Sequence, residues 1–546
     1  MKTIIKIKKN KFWKIYSYQK SNFWVKGYFD SYSPLQVFKS LNEINISEID
    51  TFIKSLKGHF AFVFKNEYFC IIVVDRVRST PIFFSKLDQV IYISDHPDKI
   101  VKNKSFKKDL DKDAINEFLM SGYTIGIKTL FKNLNTLVAG EFLLLNKKSI
   151  KRIRYFKYYD SVYKKNKKEL INDLSSVTLK IFKKLLSKID NRQVVIPLSA
   201  GNDSRLVASI LNFLNYKNVI CYSYGRKNSF EVKTAERVSK KLGFKWFFVP
   251  LFNKQEISFY RSEEYKKYLF FSETYISIPY IQSLSTVKYL KEKNIINKNS
   301  IFINGNSGDF ISGAHTDILK KNKDPNGNFF QRKNKILNSL IGKHFSLWGY
   351  LKTEDRIKYI KKELWSEINY FFDKKNKNKD YQPFEFSEFV NRQAKYVISG
   401  QRAYEFYGFE WRLPLWDDEY LNFWAKIPGN LKENQVLFKE MLLHNNFGGV
   451  WTKDFPVNKK NITPSWVIPL RFIAKIPFGL LGIRGKKIWH QFEINFFLYW
   501  MDSTLMIKKT EYKRMIKDFF KKPQGPESWQ VEDYIKKIKN ENTFSK

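Results

Sequence analysis

The sequence predicts an α+β domain followed by an α/β domain built on a parallel sheet, with a mainly helical region at the end. Three observations carry this expectation. Up to about residue 146 the chain runs as short β-rich segments, each bounded by Gly, Asn, Asp or Pro. From about residue 169 apolar residues recur at helical spacing and alternate with short apolar runs, the pattern of βαβ units. With 546 residues and 43% hydrophobic content, the chain can bury more than one core.

In the first region the expected strands are 60–64, 69–74, 81–84, 90–93 and 141–145. The basic aromatic stretch 147–168 reads as a linker. Leu170, Leu174, Val177, Ile181 and Leu185 then mark a helix. A strand at 194–198 follows, then a helix through Leu206, Val207, Ile210, Leu211 and Leu214, and a strand at 219–222. Ala235, Val238 and Leu242 form a further helix closed by Gly243, before a strand at 246–249. Parallel strands of this kind place ligands at their carboxyl ends. Beyond about Asp317 the chain reads as helical. The expected domains are 1–150, a linker at 151–168, 169–465, and a basic aromatic helical extension at 466–546.

The formal net charge is +44. Lys, Asn, Ile, Phe and Tyr are all abundant, so drift toward AT-rich codons accounts for the charge as well as attraction to nucleotides or lipid headgroups does. No nucleic-acid-binding module accompanies it, and no nucleic-acid partner is expected. Cys70 and Cys221 lie in apolar runs, which excludes a disulfide framework or a cysteine zinc site. Residues 1–20 carry no apolar stretch with a cleavage site, so a cytoplasmic location is expected. Segment 466–483 is rich in Ile, Leu and Phe but holds Arg471, Lys475, Pro469 and Pro477. It is a poor membrane span. With Arg484, Lys486 and Lys487, the stretch 466–500 suits an anionic membrane surface at the inner face or a lipid-linked substrate. A buried helical hairpin fits the same residues.

The chemistry concentrates at Ser199-Ala200-Gly201-Asn202-Asp203-Ser204, between a strand and an amphipathic helix. Such a turn aims backbone N–H groups and the positive end of the helix dipole at one spot, which suits a pyrophosphate. Gly201 permits close approach, Ser199 and Ser204 add hydroxyl donors, and Asp203 can hold a magnesium ion. A plain turn and helix cap is the other reading. The segment resembles the SGGxDS loop of adenylating PP-loop ATPases, with Ala200 for the first Gly and Arg205 where Ser or Thr is usual.

Two further stretches select within that superfamily. Gly305-Asn306-Ser307-Gly308-Asp309-Phe310 resembles the GEGADELFGG loop of asparagine synthases and β-lactam synthetases, with Asp309 on the second magnesium-holding aspartate. Gln401 to Asp417 resembles their R-x-x-M-x-x-x-x-E-x-R-x-P-F-L-D signature. That resemblance puts Glu410 on a catalytic-region glutamate and Arg412 and Asp417 in the site wall, although a salt-bridged helix end also fits the latter two. The family also uses a loop lysine after this signature, for which Lys453, Lys459 and Lys460 are candidates and Lys453 is favoured. Gly58-His59-Phe60, Val74-Asp75-Arg76, Pro81 and Ser94-Asp95 resemble the glutaminase half of the same family. The implied fold is an Ntn-hydrolase-like domain followed by a PP-loop domain with a helical C-terminal region.

The resemblance implies ATP and Mg2+, a small-molecule carboxylate acceptor, and ammonia or an amine as donor; a homodimer is compatible with it. The expected reaction is AMP-forming amide ligation. The family's glutaminase works through a cysteine following the initiator Met, where this chain has Lys2, so the first domain is expected to be a fold without its chemistry. Asn306 and Phe310 replace two family acids, which puts aspartate as acceptor in doubt. A glutamine-hydrolysing asparagine synthase and a non-catalytic nucleotide-binding scaffold remain as alternatives.

Overall fold

The structure, a computed structural model, describes residues 2–159, 162–319, 327–457 and 463–543. Its first half stacks two sheets. The strands are β1 (Lys2–Ile5), β2 (Trp13–Tyr18), β3 (Ser21–Gly27), β4 (Phe60–Lys65), β5 (Phe69–Val74), β6 (Phe83–Leu87), β7 (Val90–Ser94), β8 (Asn135–Thr136), β9 (Glu141–Asn146) and β10 (Ile150–Arg154). One sheet has the order β1-β7-β6-β8 and the other β10-β9-β5-β4-β3-β2.

Strand alternation explains the layering. In β4, Ala61 and Val63 join Ile72 and Val74 of β5 and Ile91 and Ile93 of β7 in a core between the sheets. Phe60, Phe62 and Phe64 point the other way, toward Val37, Phe38 and Leu41 of helix Pro34–Glu43. Successive side chains take opposite faces, so a continuous apolar run fills two cores at once. Cys70 lies in the inter-sheet core.

The stretch 147–168 differs from the linker expected. Its first part is β10, which pairs antiparallel with β9 from Ile150↔Leu145 to Arg154↔Glu141. Tyr155 and Phe156 are then buried in the core. An aromatic-rich basic segment can bury its rings while its cations stay at the edge.

The second half is a five-stranded parallel sheet of order β13-β12-β11-β14-β15. Its strands are β11 (Val194–Pro197), β12 (Val219–Gly225), β13 (Lys245–Pro250), β14 (Ile301–Ile303) and β15 (Glu410–Arg412). Strand β11 sits between β12 and β14, and the connections from β11 and from β14 leave toward opposite sides of the sheet. The crevice opens where the strand order reverses, at the carboxyl ends of β11 and β14.

The two halves share a polar seam. Lys26 of β3 meets Glu405 at 2.8 Å with both side chains buried. The Gly58 N–H donates to Asp418 at 2.6 Å. Lys184 bridges Asp30 at 2.6 Å and Asp417 at 2.7 Å. The last region is helical, with the pair Val467–Gly479 and Gly482–Phe496 and the terminal helix Pro526–Thr543. Among the described residues no helix is long and apolar enough to cross a membrane.

Candidate functional site

Two loops meet at the crevice. The first leaves β11 and folds on itself: the Ser199 N–H donates to Ser204 Oγ at 3.0 Å, the two hydroxyls lie 3.0 Å apart, and the Gly201 N–H donates to Ser199 Oγ at 3.1 Å. Gly201 precedes helix Asn202–Phe213 in extended conformation, and no side chain caps that helix. Its first N–H groups are therefore available to an anion.

The second loop leaves β14 and packs directly on the first. The Asp309 N–H donates to Asp203 Oδ2 at 3.0 Å. Glycine is required for this approach: a Cβ on Gly305 would lie 2.6 Å from the Asp203 carbonyl carbon, and one on Gly308 would lie 2.7 Å from Asp203 Cγ. The cavity around these loops is about 460 Å³ and includes Ser199, Gly201, Asp203, Ser204, Gly305 and Asp309. Six of the residues expected at the site are thus brought together.

Asp309 keeps 48% of its side-chain surface accessible. Burial raises its carboxyl, but the His315 imidazole at 3.4 Å and the Phe310 N–H at 2.8 Å outweigh that and hold it below the usual range. His315 also pairs with Glu388, which receives His344 at 3.1 Å and Lys343 at 3.3 Å. Burial alone would neutralise His315, yet its bonds to Asp309 and Glu388 raise it to about 9. Burial likewise opposes the charge on Glu388, and His344 and His315 reverse this to leave it well below its ordinary value.

Glu388 begins a π-helical stretch, Glu388–Tyr396, from which Arg392, Gln393 and Tyr396 line the cavity. The Ser307 hydroxyl donates to Gln393 at 2.8 Å. Neither this wall nor His315 was marked by the sequence motifs. The available signal was the position of His315 six residues after Asp309, on the same loop.

Glu410 does not join the site. Parallel register sets it opposite Ile301, the first residue of β14, whereas the functional loop leaves from the strand's other end. There it pairs with Arg192 at 3.0 Å and Arg412 at 3.3 Å. Arg412 stacks over Tyr28 at 4.3 Å, and Asp417 binds Lys184 and caps helix Asp418–Ala425. The salt-bridged reading holds for all three, at the seam between the halves.

Lys453 is exposed and does not line the cavity, while Lys459 and Lys460 lie outside the described residues. Their loop is nonetheless tied to the first: Arg205 donates to the carbonyl of Ala200 at 2.6 Å and to that of Phe455 at 2.6 Å. Of the two family departures, Asn306 lines the cavity. Phe310 is fully buried instead.

Among the described residues no three His, Cys, Asp or Glu side chains gather around a metal position. Two carboxylates facing a phosphate-sized cradle still fit magnesium, which takes one or two carboxylates and completes its shell with substrate phosphates and water. The donor set is all oxygen, and the cradle is one that a Cβ at Gly308 would fill.

Comparison with known proteins agrees with this layout. Residues 44–157 match the glutamine amidotransferase domain and residues 188–443 match asparagine synthase. Curated proteins give no match. Among solved structures, the glutamine phosphoribosylpyrophosphate amidotransferase from B. subtilis complexed with ADP and GMP is 9% identical, with 54% of this chain and 63% of that one covered and a TM-score of 0.19. A structure of the allosteric regulatory enzyme of purine biosynthesis is 10% identical, covering 55% of this chain and 58% of that one at a TM-score of 0.17. The chain spans less than two thirds of either, and likenesses this weak carry no argument. The two domain matches, in this order and together covering more than half of the sequence, do: the chain belongs to the asparagine synthase family.

Proposed function

We propose that this protein is an ATP-dependent ligase that adenylates a carboxylate and passes it to a nitrogen nucleophile, forming an amide with release of AMP and pyrophosphate. The observation that carries the reading is the convergence of Asp203 and Asp309 beside the Ser199–Ser204 turn, held together by Gly305 and Gly308. Bound magnesium would supply charge stabilisation to the departing pyrophosphate. The chain's own part is to cradle phosphate oxygens with Ser199, Ser204 and the first N–H groups of helix Asn202–Phe213, and to present the Asp203 and Asp309 carboxylates, the second held below its usual range. His315, kept cationic, orients Asp309 and offsets negative charge behind it.

Asn306 and Arg392 line the same cavity, and we place the acceptor beside them. A neutral amide at 306 and a guanidinium at 392 favour an acidic acceptor over a basic one. The nitrogen is free ammonia or an amine. The two cysteines of the sequence are buried, and burial pushes both thiols up to about 12. Neither can serve as the thiolate that glutamine hydrolysis needs.

The test is ATP–pyrophosphate exchange across a panel of carboxylates, followed by mass spectrometry of products formed with ammonia. Acceptor-dependent exchange and an amide product are expected. Folded protein that gives no exchange with any acid would favour the scaffold reading.

A further inference from the structure

The helical pair Val467–Gly479 and Gly482–Phe496 presents an apolar face that nothing among the described residues covers. In helix Val467–Gly479 only Val467, Arg471, Ala474 and Phe478 turn inward, a stripe at helical spacing. Arg471 pairs with Glu493 of helix Gly482–Phe496. Phe478 packs on Trp489 at 5.6 Å and Phe492 at 5.3 Å. Gly485 lets the helices close, since a Cβ there would lie 1.8 Å from the Phe478 carbonyl oxygen.

The outward face is the apolar one. Phe472 is 71% exposed, Ile473 64%, Leu480 86% and Ile483 81%, with Ile468, Leu470 and Ile476 beside them. Contiguous exposure on this scale marks an interaction surface. Its charge narrows the occupant. No carboxylate occurs between Thr463 and Phe492, while Lys475, Arg484, Lys486 and Lys487 are all exposed around the apolar rim. A second copy of a chain with net charge +44 would set like charge against like. A lipid surface with anionic headgroups answers both the apolar face and the cations. At the base of the pair Trp466 meets Trp500 at 5.4 Å, and the Trp500 carbonyl accepts from Arg226 at 2.6 Å. Ser503 and Thr504, just beyond, line the cavity of the candidate site.

We propose that the helical pair formed by Val467–Gly479 and Gly482–Phe496 docks this protein on an anionic lipid bilayer through Phe472, Ile473, Leu480 and Ile483. The helices lie in the interface without crossing it, and the base of the pair is continuous with the cavity wall. This inference stands apart from the ligase reading, because it rests on a surface that touches neither Asp203 nor Asp309.

Flotation of the full chain with vesicles tests it, using phosphatidylcholine alone and phosphatidylcholine mixed with phosphatidylglycerol. Binding to the mixed vesicles that weakens with salt is expected. The exposed triple substitution Phe472→Ser, Ile473→Ser, Leu480→Ser should lower partitioning on the order of a hundredfold. The pair Lys486→Glu, Lys487→Glu should lower it by about tenfold or more. Circular dichroism should be unchanged in both, since all five positions are exposed. Absence of flotation, equal binding to neutral vesicles, or equal binding by the triple variant would overturn the proposal. So would a dimer in solution that the triple variant dissolves without any vesicle binding, which would assign the face to a second copy.

Discussion

At the residue scale the site stands on two carboxylates with different surroundings. Asp203 is fixed by the Asp309 N–H and the two glycines, whereas Asp309 is half open and backed by His315. Replacing Asp203 or Asp309 with Ala should lower ATP–pyrophosphate exchange by roughly a thousandfold or more, because charge held against the departing pyrophosphate is lost. Exchange within tenfold of the parent in either variant would remove that residue from the site. Gly308→Ala is a sharper geometric check. The added methyl would lie 2.7 Å from Asp203 Cγ and 2.5 Å from Leu415 Cδ1. Exchange should fall on the order of a hundredfold, a displacement of about an ångström being enough for that. A variant with unchanged exchange would show that the loops can part without harm.

At the scale of elements, Arg205 ties the first loop to the segment after helix Val436–Asn445. Its guanidinium is buried, which pulls it down to about 10, and it stacks over Trp451 at 5.2 Å. Arg205→Ser should leave the carbonyls of Ala200 and Phe455 without their donor and cost about 1–3 kcal/mol. Hydrogen exchange within 448–457 should rise while that in the parallel sheet does not; uniform change across the chain would mean a global role. The elements themselves were largely legible. The apolar runs 60–64 and 69–74, bounded by turn residues, and the βαβ rhythm from Val194 onward are patterns that sequence displays directly. Glu410 was misplaced because a motif fixes spacing but not which end of a strand faces the ligand. The His315–Glu388–His344 cluster was illegible for another reason: its members come from three separate elements, and only packing brings them together. The pair after residue 466 left its face undecided, since the apolar residues outnumber any single stripe and only the fold shows which stripe turns inward.

At the scale of the whole molecule, the first domain is joined to the second by buried charge. Burial pulls Lys26 down to about 8, with Arg402 acting in the same direction. Glu405 feels burial too, but Lys26 and Arg402 hold it at about 2, so both partners are ionised near neutrality. Removing one partner strands the other in a dry seam. Glu405→Ala should cost roughly 3–5 kcal/mol in denaturant unfolding, and the double replacement Lys26→Met, Glu405→Leu should recover much of it. Additive losses would mean that the pair is not coupled. The same seam receives Asp418 and Lys184, so the first domain serves as part of the second domain's support even if it performs no chemistry. The cavity wall Glu388–Tyr396 is set by its winding. A helix wound with π hydrogen bonds carries more residues per turn than an α-helix, so the aim of Arg392 and Gln393 depends on how many residues the stretch contains as well as on which they are. Deleting one residue there would let the winding relax to α, leaving the flanking elements in place while turning side chains within the stretch by up to about 100°. Length changes in this stretch, more than substitutions, are therefore the steps by which such a cavity would acquire a different acceptor.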